Sequence, residues 1–274
     1  MRHFTHDGRP LRFVDPRTDF GFYRVFDNEN AREILASFLN AVLHLDKNHS
    51  IADIQRLELF VLPRTQYLRL SLIDAECFDV LGVSYFVKMG ISRVPTLAMR
   101  SLRDGSVTRS HCWPKPHQVL AINIIDFILF NDFEHYLSCH RVREKNIGNS
   151  YHDEIRYYFI ELPKFKKTEK ELETFIEKWV YFIKHAGDLE AIPEKLDEPI
   201  FHKAFNQAKR ANMTTKELEA YDNSIMVMMD ERGRLEGACE KGGQDMAYEI
   251  ARSMKQDGTE PIYRQMDQAG ARGN

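Results

Sequence analysis

The sequence predicts an α/β or α+β core over its first two-thirds, followed by a helical C-terminal region. Three features point there. Leu68 to Phe78 and Val83 to Val87 read as strands on either side of a turn near Leu81 and Gly82. Val119 to Leu129 is nearly continuous in Ile, Leu, Val and Phe, the texture of a central strand covered on both faces. From about Thr168 onward the strand texture ends and helix-start signatures follow one another.

Taken in chain order, the first helix is announced by Asn30 with Glu33, a capping box ahead of Ile34, Leu35, Phe38, Leu39, Val42 and Leu43. Those apolar positions recur at helical spacing and make one buried face. The two strands around Gly82 follow, and this helix should pack near them. Ser92 to Pro116 carries three prolines and a Gly-Ser pair, and only Thr96 to Arg103 offers a short helix there. Arg156 to Leu162 is a further strand, stopped by Pro163. Thr168 with Glu171 opens a helix through Leu172, Phe175, Ile176, Trp179, Val180 and Ile183, with Gly187 at its end. Trp179 with Phe175, Phe182 and Ile183 reads as a core stripe and not as a base-stacking surface. Thr214 with Glu217 opens the last helix. Beyond it, Gly233, Gly237, Gly242 and Gly243 each cost a helix about 1 kcal/mol relative to alanine, so the tail is expected to be less ordered than residues 168 to 186.

The expected layout is a core over 13–166, a helical extension over 167–230 and a charged, glycine-containing tail over 231–274. A chain of 274 residues, 43% hydrophobic and 29% charged, has the composition of a globular protein. The net charge is -3, so a nucleic-acid partner would need a local patch or a metal site. Cys77, Cys112, Cys139 and Cys239 form no CxxC pair and read as reduced, buried thiols. The N-terminus has no apolar signal core and no stretch approaches a bilayer span, so the expectation is a cytoplasmic protein with no membrane segment. Walker A, GxGxxG and GxSxG sequences are absent, which removes support for nucleotide-binding and hydrolase-elbow readings.

Several segments together carry a more specific pattern. Asp15-Pro16-Arg17-Thr18-Asp19-Phe20-Gly21-Phe22-Tyr23-Arg24-Val25-Phe26 is followed by the helix bearing Ile34 to Leu43. Then come Ile122-Asn123-Ile124-Ile125-Asp126-Phe127, Phe159-Ile160-Glu161-Leu162-Pro163-Lys164-Phe165 and Lys178-Trp179-Val180-Tyr181-Phe182-Ile183. In order and spacing these resemble the PD-(D/E)XK nuclease family transposases, also known as recombination-promoting nucleases, over roughly residues 13 to 255. The resemblance implies a restriction-endonuclease-like α/β core with a C-terminal helical region, DNA as partner, and Mg²⁺-dependent endonuclease chemistry. It also leaves room for a homodimer.

In that chemistry two carboxylates on adjacent strands hold the metal, and a Lys or Gln two residues past the second one places the nucleophile. The resemblance puts the first carboxylate at Asp74. Fourteen residues later, where the family has Glu-x-Gln or Glu-x-Lys, this chain reads Lys88-Met89-Gly90. A cation replaces the second ligand, and a residue without a side chain replaces the positioning group. The expectation is an endonuclease that is impaired or inactive.

Other readings compete. Asp74 with Glu76, two apart on one strand, would share a face and hold a metal weakly, with Asp79 assisting if the strand bends. The alternative for Asp74 is a relic carboxylate on a solvated strand face. Asp19 and Glu29 fit an accessory acid, or turn and capping chemistry, and the latter is favoured. Lys164-Phe165-Lys166-Lys167 fits phosphate contacts, or, by preference, a solvated loop. His111, Cys112, His117, Cys139 and His140 match no zinc spacing. The functional rivals to an endonuclease are a DNA-binding or self-associating protein that kept the fold, and a protein-interaction module working through the helical tail.

Overall fold

The computed structural model describes residues 11–28, 31–45, 49–56, 72–92, 118–149 and 152–256. Among these, six strands form one mixed sheet: β1 (Ile51–Arg56), β2 (Leu72–Asp79), β3 (Ser84–Ser92), β4 (Gln118–Ile125), β5 (Leu137–Val142) and β6 (His152–Glu161), in the order β1-β2-β3-β4-β6-β5. The first three pair antiparallel, β4 pairs parallel with both β3 and β6, and β5 returns antiparallel along β6. The helices are α1 (Asp19–Phe26), α2 (Arg32–Leu43), α3 (Phe175–His185), α4 (Pro199–Ala208) and α5 (Thr215–Gln256).

Alternation along the strands sets the layers. Ile73, Ala75 and Cys77 of β2, Tyr85, Val87 and Met89 of β3 and Leu120, Ile122 and Ile124 of β4 are buried in one core with the apolar faces of the helices. Trp179 anchors that core. It is fully buried, lies 4.7 Å from the Phe201 ring and meets Phe38 and Phe182 edge-on at 6.0 and 5.8 Å, and its indole N–H reaches Ser37 Oγ. α2 packs on β1, α3 and α4, so the helix expected near the β2–β3 hairpin meets the sheet mainly through the neighbouring strand β1. The opposite face carries a smaller cluster built on Ile125 and Phe159.

The opening segment is locked by its own side chains. Thr18 donates through N–H and hydroxyl to Asp15 O, and its Oγ1 accepts from Gly21 N–H, capping α1. Arg17 grips the Asp15 carboxylate with two nitrogens, and Asp15 N–H donates to the buried Tyr221 hydroxyl of α5. A Cβ at Gly21 would fall 2.0 Å from Asp15 O, and one at Gly187 2.7 Å from Asp15 Cβ, so both glycines are required by close approach. Val14 N–H and Arg210 N–H then tie this segment to the end of α4 and the turn beyond it.

Several expectations shift. β1 and β5 had no counterpart in the sequence reading. The strand expected over Leu68 to Phe78 is seen from Leu72, and its partner runs on to Ser92; residues 68 to 71 and the helix expected over 96 to 103 lie outside the described residues. Thr168 and Glu171 do form a capping box, but on a single 3-10 turn; the helix begins at Phe175 under a second box, Thr174 with Glu177. Starting there leaves Phe175 on the first turn, 48% exposed and outside the core stripe. α2 starts with Ala31 in the capping position, and Asn30 lies outside the described residues. The box of Thr214 and Glu217 forms as expected, and Glu217 also receives Arg24. Cys77 is buried, and burial pushes its thiol up to about 12, but Cys139 is exposed on edge strand β5, against the reading of buried thiols.

The described residues fall into two compact units, one ending at Met228 and the other beginning at Met229. Within the second the described backbone is helical to Gln256, and a Cβ at Gly233, Gly237 or Gly242 would meet nothing within 4 Å. Opposite outcomes are therefore expected for one kind of substitution. Gly187→Ala should lower the unfolding free energy by about 1–3 kcal/mol through overpacking against Asp15. Gly233→Ala should stabilise its local helix by about 1 kcal/mol. Urea titration followed by circular dichroism checks the first, and helix protection in amide exchange the second.

Candidate functional site

The β2–β3 hairpin decides which residues face one another. Its turn is built on Asp79, whose Oδ1 accepts from Leu81 N–H at 2.9 Å and Val83 N–H at 2.8 Å, while Gly82 N–H closes on Asp79 O and Gly82 takes φ +76°. Asp79 Oδ2 lies 3.2 Å from His49 Nδ1 and 3.3 Å from the Tyr85 hydroxyl. Burial works against charge on this carboxyl. The Val83 N–H, His49, the Leu81 N–H and Tyr85 together outweigh it and hold its pKa below the ordinary value. Asp79 is thus consumed by the turn and buried on the core side, which removes it as an assistant to Asp74.

From that turn the register runs Phe78 opposite Ser84, Glu76 opposite Phe86, Asp74 opposite Lys88 and Leu72 opposite Gly90. The fourteen-residue spacing read from the sequence is therefore a direct cross-strand pairing of positions 74 and 88. Gly90 follows two residues on, buried, beside Asn123 of β4; Lys88 is half-buried beside Ala121. Glu76 is half-buried one alternation along β2, about 6.6 Å from position 74 by strand rise. A groove of about 790 Å³ lies elsewhere, between α2, β1 and the start of α4, and neither Lys88 nor Gly90 lines it.

The same transverse row continues across the sheet: Asp74, Lys88, Ala121, Tyr157, His140. At its far end Phe130, Phe133, His135 and His140 stack on one another, a feature that sequence reasoning missed. The density of Phe and His between Phe127 and His140 was the available signal.

The remaining sequence candidates separate from this row. Asp19 opens α1 behind its Thr18 cap, and Glu29 lies outside the described residues. Lys164 is neither a phosphate contact nor part of a solvated loop: it is nearly buried, 2.6 Å from both Glu161 Oε2 and Phe130 O. Lys167 pairs with Glu177 at 2.6 Å, and Phe165 is core. Burial would raise the Glu177 carboxyl, but Lys167 and the N–H groups of Thr174 and Glu173 hold it at about 2. His111, Cys112 and His117 lie outside the described residues, and among the described ones no group of three or more His, Cys, Asp or Glu could hold a metal ion.

On the helical side, Arg17 is held charged against burial by Asp15, with Asp126 and Asp188 adding to the field. Asp126 also acts on Lys184, whose pKa burial lowers. The opening segment and the end of β4 thus share one electrostatic cluster, which links two of the stretches that carry the family resemblance.

A mixed sheet with an antiparallel hairpin feeding parallel central strands, helices over one face and paired positions 74 and 88 is the frame of an α/β nuclease fold. The sequence profile of the PD-(D/E)XK nuclease family transposases matches residues 16–238, and the chain belongs to that family. No curated protein and no solved structure matches it. No helix among the described residues is long and apolar enough to cross a membrane.

The hairpin makes a pH-dependent forecast. A carboxylate whose folded pKa is depressed stabilises the fold above its unfolded pKa, about 3.9, and loses that contribution as pH falls through the lower folded value. Asp79→Asn should therefore lower the unfolding free energy by about 1–2 kcal/mol at pH 7. The gap to the unaltered protein should close as pH drops below about 4. Denaturant midpoints at pH 7 and pH 3 check this, and an unchanged gap would contradict it.

Proposed function

We propose that this chain is a DNA endonuclease of the recombination-promoting, transposase-associated class by descent, and that its cleavage centre is impaired. Membership of the nuclease family supports the scaffold and DNA as target. The observation that carries the impairment is the register: Lys88 stands directly across from Asp74, where the family's chemistry needs the second carboxylate. Gly90 stands two residues on, where it needs a side chain.

Nucleases of this family generally use a divalent metal. The residues here do not fit one in that arrangement. An ion between positions 74 and 88 would face an ammonium, a repulsion of about 4 kcal/mol per unit of ion charge at 4 Å and an effective dielectric of about 20. The lysine stem allows the charge to swing away, but no second carboxylate replaces it on β3. Glu76 supplies a second acid on the same strand, displaced along β2 and opposite Phe86, so Asp74 with Glu76 forms at most a weak metal site. We therefore assign Asp74 and Glu76 as residual metal positions, and Lys88 and Gly90 as the substituted catalytic positions.

The purified protein should cleave DNA with Mg²⁺ poorly or not at all. The double substitution Lys88→Glu with Gly90→Gln should raise cleavage, and adding Asp74→Ala should abolish the gain. Lys88→Glu alone should recover Mg²⁺ affinity, read by calorimetry, more than rate. Vigorous cleavage by the unaltered protein, lost in Asp74→Ala and indifferent to Lys88→Ala, would overturn the impairment and place the second ligand at Glu76 or another acid.

A further inference from the structure

The loop between β4 and β5 spends buried charge on holding a surface feature. Glu161, fully buried at the end of β6, accepts from Leu129 N–H at 2.7 Å and Phe130 N–H at 3.2 Å through Oε1. Its Oε2 takes Lys164 Nζ at 2.6 Å, and the same ammonium donates to Phe130 O. A buried ion pair costs several kcal/mol of desolvation unless its remaining hydrogen bonds are supplied, and here the loop backbone supplies them. Residues 126–136 have no helix or strand of their own, yet their backbone is pinned at Leu129 and Phe130.

What this pinning holds in place is a ladder of rings. His135 stacks on Phe133 at 4.1 Å and 12°, Phe133 on Phe130 at 5.5 Å and 25°, and Phe130 on His140 at 4.7 Å and 24°. Phe159 buttresses Phe130 and His140 edge-on from the sheet. Lys164 Nζ also sits 4.2 Å from the Phe133 ring centre, a cation–π contact that helps to hold that ring. The inner rings are half-buried and His135 at the end is exposed. A ring cluster serving only to cover the sheet would bury its large faces; this one ends on an exposed imidazole.

Its position gives it a use. His140 closes the transverse row that begins with Asp74 and Lys88, three strand spacings from Lys88, or about 14 Å. That is two to three nucleotides of an extended single strand. We propose that the His135–Phe133–Phe130–His140 ladder is a stacking platform for unpaired nucleobases of single-stranded DNA beside the candidate cleavage centre. The proposal rests on DNA being the target. Stacking is the recognition mode that fits, because aromatic rings take any base by its face and the exposed His135, stacked on Phe133 by one face, has its other face to offer. Phosphate contact is not what these rings offer, since Asp132 and Glu134 flank them. Arg143 and Lys145 are exposed in the segment just past β5, within the chain's reach of a phosphate backbone.

The test uses the full-length protein without metal and a twelve-nucleotide single strand carrying one 2-aminopurine, with a duplex of the same sequence alongside. Binding of the single strand should quench the 2-aminopurine. His135→Ala and Phe133→Ala should each weaken it about tenfold or more. His135→Phe should restore both affinity and quenching, and duplex affinity should change less than twofold throughout. His135 is exposed, so its variants test the platform even if Phe133→Ala perturbs the loop. Single-strand binding and quenching indifferent to His135→Ala, with duplex binding intact, would overturn the platform and leave DNA as the target. Failure to bind either form would overturn both.

Discussion

The cleavage centre proposed for this chain depends on the turn that Asp79 holds. Side-chain alternation in a strand has a period of two, so a slip of one residue in the β2–β3 pairing would exchange the two faces of the hairpin. Asp79 prevents that by taking the Leu81 and Val83 N–H groups in one carboxylate oxygen, while Tyr85 and His49 engage the other. The apolar run Ile73, Ala75, Cys77 against Tyr85, Val87, Met89 then fixes which face is core. Positions 74 and 88 meet because both constraints agree. The meaning of Lys88 is inherited from a turn nine residues away in the chain.

The helical layer has a corresponding knot at Asp15. The carboxylate holds Arg17, the carbonyl holds Thr18, the N–H finds Tyr221, and two glycines clear space for it. This explains a sequence motif in physical terms: the Asp, Pro, Arg, Thr and Gly of residues 15 to 21 are what a tight capped turn buried under two helices requires. Asp126 joins the same cluster through Arg17 and Lys184, so the strand motif ending at Asp126 and the opening motif constrain each other.

What was legible in the sequence was whatever local chemistry decides alone. The hairpin around Gly82, the central strand from Val119 and the Thr214–Glu217 box all follow from residue type and spacing, and the fourteen-residue interval correctly anticipated neighbouring strands. Signals with two valid local solutions were less legible. Thr168 and Thr174 both head capping boxes, and only the second leads into a helix, because Leu172 is needed in the core between them. β1 and β5 are edge strands with mixed polar texture, and β1 carries an irregularity near Asp53 that breaks its alternation. The roles of Glu161 and Lys164 were hidden for a different reason. Their partners at Leu129 and Phe130 are more than thirty residues away, and nothing in a Lys-rich stretch distinguishes a buried ammonium from a solvated one.

The order of pairing in the sheet also bears on how the chain assembles. β1 to β3 pair with near neighbours, whereas β4 must find β3 across an intervening stretch of more than twenty residues, and β6 must insert between β4 and β5. Closing long loops before any contact rewards them is slow, so the meander should form first and wait. During synthesis the edge of β3 that will receive β4 stays open until residue 125 has emerged. An unpaired strand edge of that kind, rich in Val, Met and Ile, is a template for the wrong partner. Position 88 sits in the middle of it, and a charge of either sign within such an edge discourages a second nascent copy from adding on before the sheet is complete.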